Sequence, residues 1–130
     1  MRDIKFRGFY PYWHLYEDMK NGWIFGHLGK DIDGEYYIQP EGDRYGEGYQ
    51  VLKETVGQYT ECKDKNGNEI YEKDILLLPC GDKAVVSFQN GTFGILWNGF
   101  KPVSECSYFQ HYEKIGNIYE NPELLEGSTC

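Results

Sequence analysis

Apolar positions in this chain come in short alternating or continuous runs, and nearly every run ends at a turn pair. Ile4-Lys5-Phe6-Arg7 alternates apolar and charged residues, so it predicts a first strand with Lys5 and Arg7 toward water. Asn21-Gly22 precedes Trp23-Ile24-Phe25, and Asp33-Gly34 separates the run from Phe25 to Leu28 from Tyr36-Tyr37-Ile38, which predicts a hairpin. Asp64-Lys65-Asn66-Gly67-Asn68 is a turn before Glu69-Ile70-Tyr71, and Ile75 to Leu78 is apolar enough for a central strand that Pro79 to Asp82 ends. Asn90-Gly91 sits between Ala84-Val85-Val86-Ser87-Phe88 and Phe93-Gly94-Ile95-Leu96-Trp97, the clearest hairpin signature in the chain, and Asn98-Gly99 supplies a further turn.

Helical periodicity is weak by comparison. No stretch of ten or more residues keeps an apolar position every third or fourth residue without meeting Gly or Pro. Tyr49, Leu52 and Val56 fall on one helical face, yet residues 55 to 60 favour a strand, so 49 to 56 reads either way. Residues 40 to 48 read as a polar loop. Ile115 to Tyr119 predicts a closing strand, after which Asn121 can cap and Pro122 can open a single helical turn through Leu125. The expected fold is mainly β, a small curled sheet or barrel with short helical turns in a single domain.

Composition agrees with a packed fold. The 130 residues are 40% hydrophobic and include 3 Trp, 12 Tyr and 7 Phe, with a mean hydropathy of -0.66; a disordered chain lacks that aromatic content. The net charge of -8 repels phosphate backbones and attracts basic surfaces, which argues against a duplex nucleic-acid partner. The charge is uneven, because Arg2, Lys5, Arg7, Lys20 and Lys30 outnumber the acids among the first thirty residues. No apolar run is as long as a bilayer span, and the first residues lack a secretion-signal stretch. The expectation is therefore no membrane partner and a cytoplasmic location.

Little chemistry is legible. Cys62, Cys80, Cys106 and Cys130 are far apart, with no close pair of the zinc or redox kind, so in a reducing compartment they are expected as free thiols. Asp64, Asn66 and Asn68 begin like a calcium loop, but Glu69 stands at the sixth position and Ile75 at the twelfth. Gly29-Lys30 is followed by Asp31 rather than Ser or Thr, and Gly46-Glu47-Gly48 lacks the third glycine of a dinucleotide loop. His14, His27 and His111 are scattered among surface-type residues. No catalytic residue, metal ligand or cofactor site is assigned, and the chain is not expected to be an enzyme.

Several blocks together resemble one family. Thr55-Val56-Gly57-Gln58-Tyr59-Thr60, Lys63-Asp64-Lys65-Asn66-Gly67, Ile70-Tyr71-Glu72 with Asp74-Ile75, and Gly116 through Leu125 follow the order of the YopX family, and Ile4 to Arg7 is similar to its N-terminus. Residues 8 to 54 carry little of the likeness. The chain departs from the family pattern at Glu61-Cys62, where Gly-Leu is common, and at Lys73, where Gly is common. The resemblance implies a single domain over 1–130, with a variable aromatic-rich part over 1–48, a motif-bearing part over 49–125 and a tail over 126–130. It also implies a self-associating protein of phage or prophage genomes in a bacterial host, and it brings no active site to transfer. Within the motif, Gly57 and Gly67 suit turns, and Asp64 or Asp74 suits anchoring a turn through nearby amides.

The remaining signal is aromatic. Tyr10, Trp13, Tyr16, Trp23, Tyr36 and Tyr37 crowd into the first forty residues, and Trp and Tyr are enriched where proteins meet. Trp13, Tyr16 and Trp23 are the candidate interface anchors. The expected function is a phage or prophage accessory role without catalysis, through contacts with further copies and with a host or phage protein. Two alternatives stand beside it. One is single-stranded nucleic-acid binding by a small barrel that uses Arg2, Lys5, Arg7, Trp13 and Trp23; the other is an enzyme or nucleotide-sequestering protein whose pocket forms from distant positions.

Overall fold

Strands form where the alternation predicts them, and all strand pairs are antiparallel. They are seen in a computed structural model, which describes residues 5–17, 19–40, 48–103 and 105–125. The chain divides into two units, Met1–Gln58 and Tyr59–Cys130. The fold is mainly β as expected, and among the described residues the sheets stay open rather than closing into a barrel. Ile4, Arg2, Gly46-Glu47, most of the 40–48 loop, Cys130 and the 126–130 tail lie outside the described residues.

The first unit is built on strands β1 (Phe6–Phe9), β2 (Trp23–Lys30), β3 (Tyr36–Pro40) and β4 (Tyr49–Val51), with β5 (Gly57–Lys63) beginning at its end. Their order is β4-β3-β2-β1-β5, and Gly57 and Gln58 pair with Arg7 and Phe6. The β2–β3 hairpin turns at Asp31 to Glu35. There the Asp31 carboxylate accepts from the amides of Asp33 at 2.9 Å and Glu35 at 3.0 Å, and Gly34 takes a φ of +85° that favours glycine. Ile24, Ile38 and Val51 form the core, covered by Phe6, Tyr10, Leu28, Tyr49 and others. The ambiguous stretch resolves into β4 followed by a 3-10 turn over Lys53–Thr55. Thr55 fixes that turn, its buried hydroxyl donating to Leu52 O at 2.6 Å and accepting from Phe9 N at 2.8 Å.

One side chain corrects the alternation argument. Arg7 does not point to water; it is 3% exposed, with its guanidinium 4.8 Å from the centre of the Trp23 ring. Trp23 is the register partner of Phe9, two residues on from Arg7, so both side chains share one sheet face, and a planar cation stacked on indole is a stable way to bury the residue.

The second unit takes up β5 from Tyr59 and pairs it with β6 (Glu69–Tyr71). Its main sheet has the order β10-β9-β8-β7-β11, from β7 (Asp74–Leu77), β8 (Lys83–Gln89), β9 (Thr92–Leu96), β10 (Phe100–Pro102) and β11 (Glu113–Asn117). The β8–β9 hairpin turns on Asn90 and Gly91, with φ of 53° and 79°, the paired positive angles that match strand twist. The core collects Ile70, Leu76, Ala84, Val86, Ile95 and Phe109. Phe109 comes from the four-residue helix α1 (Cys106–Phe109). β11 starts two residues earlier than predicted and stops at Asn117, whose side-chain oxygen accepts from the amides of Tyr119 at 3.0 Å and Glu120 at 2.9 Å. A 3-10 turn over Pro122–Leu125 follows.

The cysteines are the second correction. Cys62 and Cys106 are not free; they form a disulfide across 44 residues of sequence. The spacing rule seeks partners close in sequence, whereas β5 and α1 bring these two together only in the folded unit. Cys80 is free and exposed.

Candidate contact surface

Of the large apolar side chains that face solvent in the first unit, Tyr12, Leu15 and Tyr16 follow β1 in one short segment, while Phe25, Ile32 and Leu52 stand on other elements. Tyr10 leaves the strand held by its amide to Gly22 O at 2.7 Å, and a 3-10 turn over Trp13–Leu15 reverses the chain. Tyr10 is the hub: Tyr49 meets its ring edge-on at 5.0 Å, Tyr12 edge-on at 5.8 Å and Tyr16 at 6.1 Å. Its hydroxyl donates to the Tyr16 oxygen at 3.5 Å. That hydrogen bond, then partial burial, then the neighbouring phenols push the Tyr10 pKa up to about 12, so Tyr10 is uncharged at neutral pH.

Around this hub the exposed apolar side chains are Tyr12 at 58%, Leu15 at 68% and Tyr16 at 48%. Of the three predicted anchors, only Tyr16 is this open. Trp13 and Trp23 are half-buried. Trp23 meets Phe9 edge-on at 5.5 Å and carries Arg7 on its face. Trp13 packs beside Gly22, where a side chain would meet Trp13 and Phe9 ring atoms at 2.7 Å. The turn therefore divides its aromatics into an inner pair and an outer set. Tyr12 and Leu15 belong to the outer set and were not among the predicted anchors, because residue type alone does not tell which side of a short turn faces out.

Next to Tyr12 runs a groove of about 280 Å³, lined by Pro11, Tyr12, Glu35, Gln50, Leu52 and Glu54 among others. Gln50 donates from Nε2 to Glu35 Oε2 at 3.0 Å. A second, shallower hollow of about 380 Å³ lies by Gly29, Lys30, Asp31 and Tyr37. Partial burial, followed by the Asp31 charge, raises the Tyr37 pKa.

The polar groups of the family motif serve architecture. Asp64 Oδ1 accepts from the amides of Asn66 at 2.9 Å and Asn68 at 2.8 Å, and Oδ2 accepts from Lys114 N at 2.9 Å. Burial works to raise its pKa, but the amides of Lys114, Asn68 and Asn66 outweigh burial and lower it. Asp74, fully buried, accepts on Oδ2 from Tyr71 N at 2.7 Å, with Lys114 Nζ 3.2 Å away. Lys114 Nζ also donates to Glu69 O at 3.1 Å. Among the described residues no group of three or more His, Cys, Asp or Glu is placed to hold a metal ion, and His14, His27 and His111 are each exposed. No helix among the described residues is long and apolar enough to cross a membrane.

Comparison with known proteins adds two findings. The family described as YopX protein matches residues 5–126. Among solved structures, the crystal structure of protein EF1440 from Enterococcus faecalis is similar, with 26% identity and a TM-score of 0.57 over 97% of this chain and 100% of that one. No curated protein matches.

Proposed function

The chain belongs to the YopX protein family, and from that premise we propose that it acts without catalysis, through protein contacts that include association with copies of itself. The observation that carries this reading is the outer aromatic set of the first unit. Tyr12, Leu15 and Tyr16 expose large apolar side chains around the Tyr10 hub. Tyrosines held by ring contacts are already partly ordered, so little side-chain entropy is lost when a partner covers them. The net charge of -8 suits a host or phage partner that brings cations to the rim of such a patch, whereas between copies of this chain it opposes association and the apolar contact has to outweigh it. A phage or prophage accessory role in the cytoplasm of a bacterial host is the setting we propose.

Nucleic-acid binding draws less support, since Arg7 is buried on Trp23 and two of the groups expected to hold a strand engage each other. Hydroxyl-radical footprinting of Tyr12 and Tyr16 over a dilution series tests the proposal. Their labelling should fall as protein concentration rises, while exposed Tyr108 of the second unit stays constant. Labelling of Tyr12 and Tyr16 that does not depend on concentration contradicts self-association through this patch.

A further inference from the structure

We propose that the Cys62–Cys106 disulfide is a redox latch that holds helix α1, and with it Phe109, in the core of the second unit. The sulfurs meet because of a defect in strand pairing. Between the pairs Tyr59↔Tyr71 and Lys63↔Glu69 the β5–β6 ladder shifts register, so three residues of β5 stand against Ile70 alone. Glu61 takes a φ of 69° there, and Thr60 closes the bulge by donating to Ile70 O at 2.8 Å and accepting from Cys62 N at 3.1 Å. A bulge re-aims the side chain it carries, and here that side chain is Cys62, buried at the core and bonded to Cys106 at the start of α1.

Within helix α1, Cys106 through this bond and Phe109 through its ring are the side chains that reach the core. The helix is four residues long, too short for intrinsic stability, and its N-cap residue Glu105 makes no side-chain cap bond. Phe109, 1% exposed, is the only buried residue of α1. Downstream, the chain is pinned again where Tyr112 O accepts from Lys65 N at 3.0 Å. The strands around it have their own ladders: β7 pairs with β8 and β11, and β9 pairs with β8 and β10, none of them through the sulfurs. Opening the bond therefore frees residues 105–112 without breaking the sheet.

The chemistry is thiol–disulfide exchange with a dithiol reductant. One thiolate of the reductant attacks Cys106 Sγ, the more accessible sulfur because Cys62 is 7% exposed. The protein disulfide breaks, a mixed disulfide forms at Cys106, and Cys62 leaves as a thiolate that takes a proton. The second reductant thiol displaces Cys106. The protein gains two electrons and two protons, and the reductant becomes its disulfide. In a reducing compartment the latch opens and uncovers the face that Phe109 seals; under oxidising conditions it closes.

The test uses the full chain. Protein kept free of reductant, then unfolded and labelled with maleimide, should carry tags on two of its four cysteines, and a protease digest should contain a linked 62/106 peptide. Amide exchange followed by mass spectrometry, with and without dithiothreitol, should then show exchange over 105–112 rising about tenfold or more on reduction. Peptides of β7 and β8 should hold their protection. The Cys62→Ala/Cys106→Ala variant should match the reduced protein in either buffer. Absence of the linked peptide, unchanged exchange over 105–112 on reduction, or loss of protection across β7 and β8 as well would each overturn the proposal.

Discussion

Glu61 and Lys73 hold left-handed backbone, with φ of 69° and 72°, although neither is glycine. Left-handed geometry costs a residue with a Cβ roughly 1–2 kcal/mol. Both are positions where the family commonly has glycine, so the likeness exposed the geometry while the residues standing there concealed it. Lys73 is kept in place by its amide, which donates to Val86 O at 2.8 Å, and its carbonyl, which accepts from Ile118 N at 3.1 Å. Lys73→Gly should be more stable than Lys73→Ala by about 1 kcal/mol in urea denaturation, because both lose the side chain and only one escapes the strain. Equal stabilities would show that the turn relaxes. Asp64 supports a second residue-scale prediction. Asp64→Asn puts an amide N–H where a carboxylate oxygen now accepts, and should cost about 1–3 kcal/mol at pH 7. The folded pKa of Asp64 lies below its ordinary value of 3.8, so this contribution is complete above that value and fades as pH falls through the lower folded pKa. The gap between wild type and variant should therefore narrow in strongly acid buffer; a gap that widens there contradicts the assignment.

At the scale of elements, hairpins were the legible part, because Asn90-Gly91 and Asp33-Gly34 state their backbone angles through residue type. Boundaries set by side-chain bonds were less so. The end of β11 depends on where the Asn117 oxygen turns, and the 49–56 stretch depends on Thr55 reaching Phe9 across the unit. Burial of Arg7 and the Cys62–Cys106 bond were illegible for a related reason, since each rests on a neighbour supplied by another element, Trp23 on β2 and Cys106 on α1. The candidate surface was read to the right element and only partly to the right residues. The 3-10 turn at Trp13–Leu15 leaves Tyr16 outside as expected, but packs Trp13 and Trp23 inward. Trp23→Ser should thus destabilise the protein by roughly 2 kcal/mol through lost contacts with Phe9 and Arg7. Tyr16→Ser should stay within about 0.5 kcal/mol of wild type. Thermal unfolding of the two variants separates these roles, and a Trp23→Ser protein as stable as wild type would contradict the inner placement.

For the whole molecule, the family match and the physical reading converge on a chain whose motif polar groups build turns, while Tyr12, Leu15 and Tyr16 stand open outside the motif. The motif carboxylates Asp64 and Asp74 are buried, and each accepts at least one backbone amide within its own unit. On the proposed reading, the twelve tyrosines supply contact area, and the net charge of -8 works against phosphate. The central claim is that the outer set of Tyr12, Leu15 and Tyr16 mediates association. Sedimentation equilibrium over a concentration series tests it most directly, comparing wild type with a Tyr12→Ser/Leu15→Ser/Tyr16→Ser variant whose unfolding curve matches wild type. The account predicts a concentration-dependent mass above that of one chain for wild type, and an association constant at least about tenfold weaker for the variant, as expected when interface anchors are removed. A wild-type protein that sediments as one chain at every concentration, or a variant that associates as tightly as wild type, would contradict it.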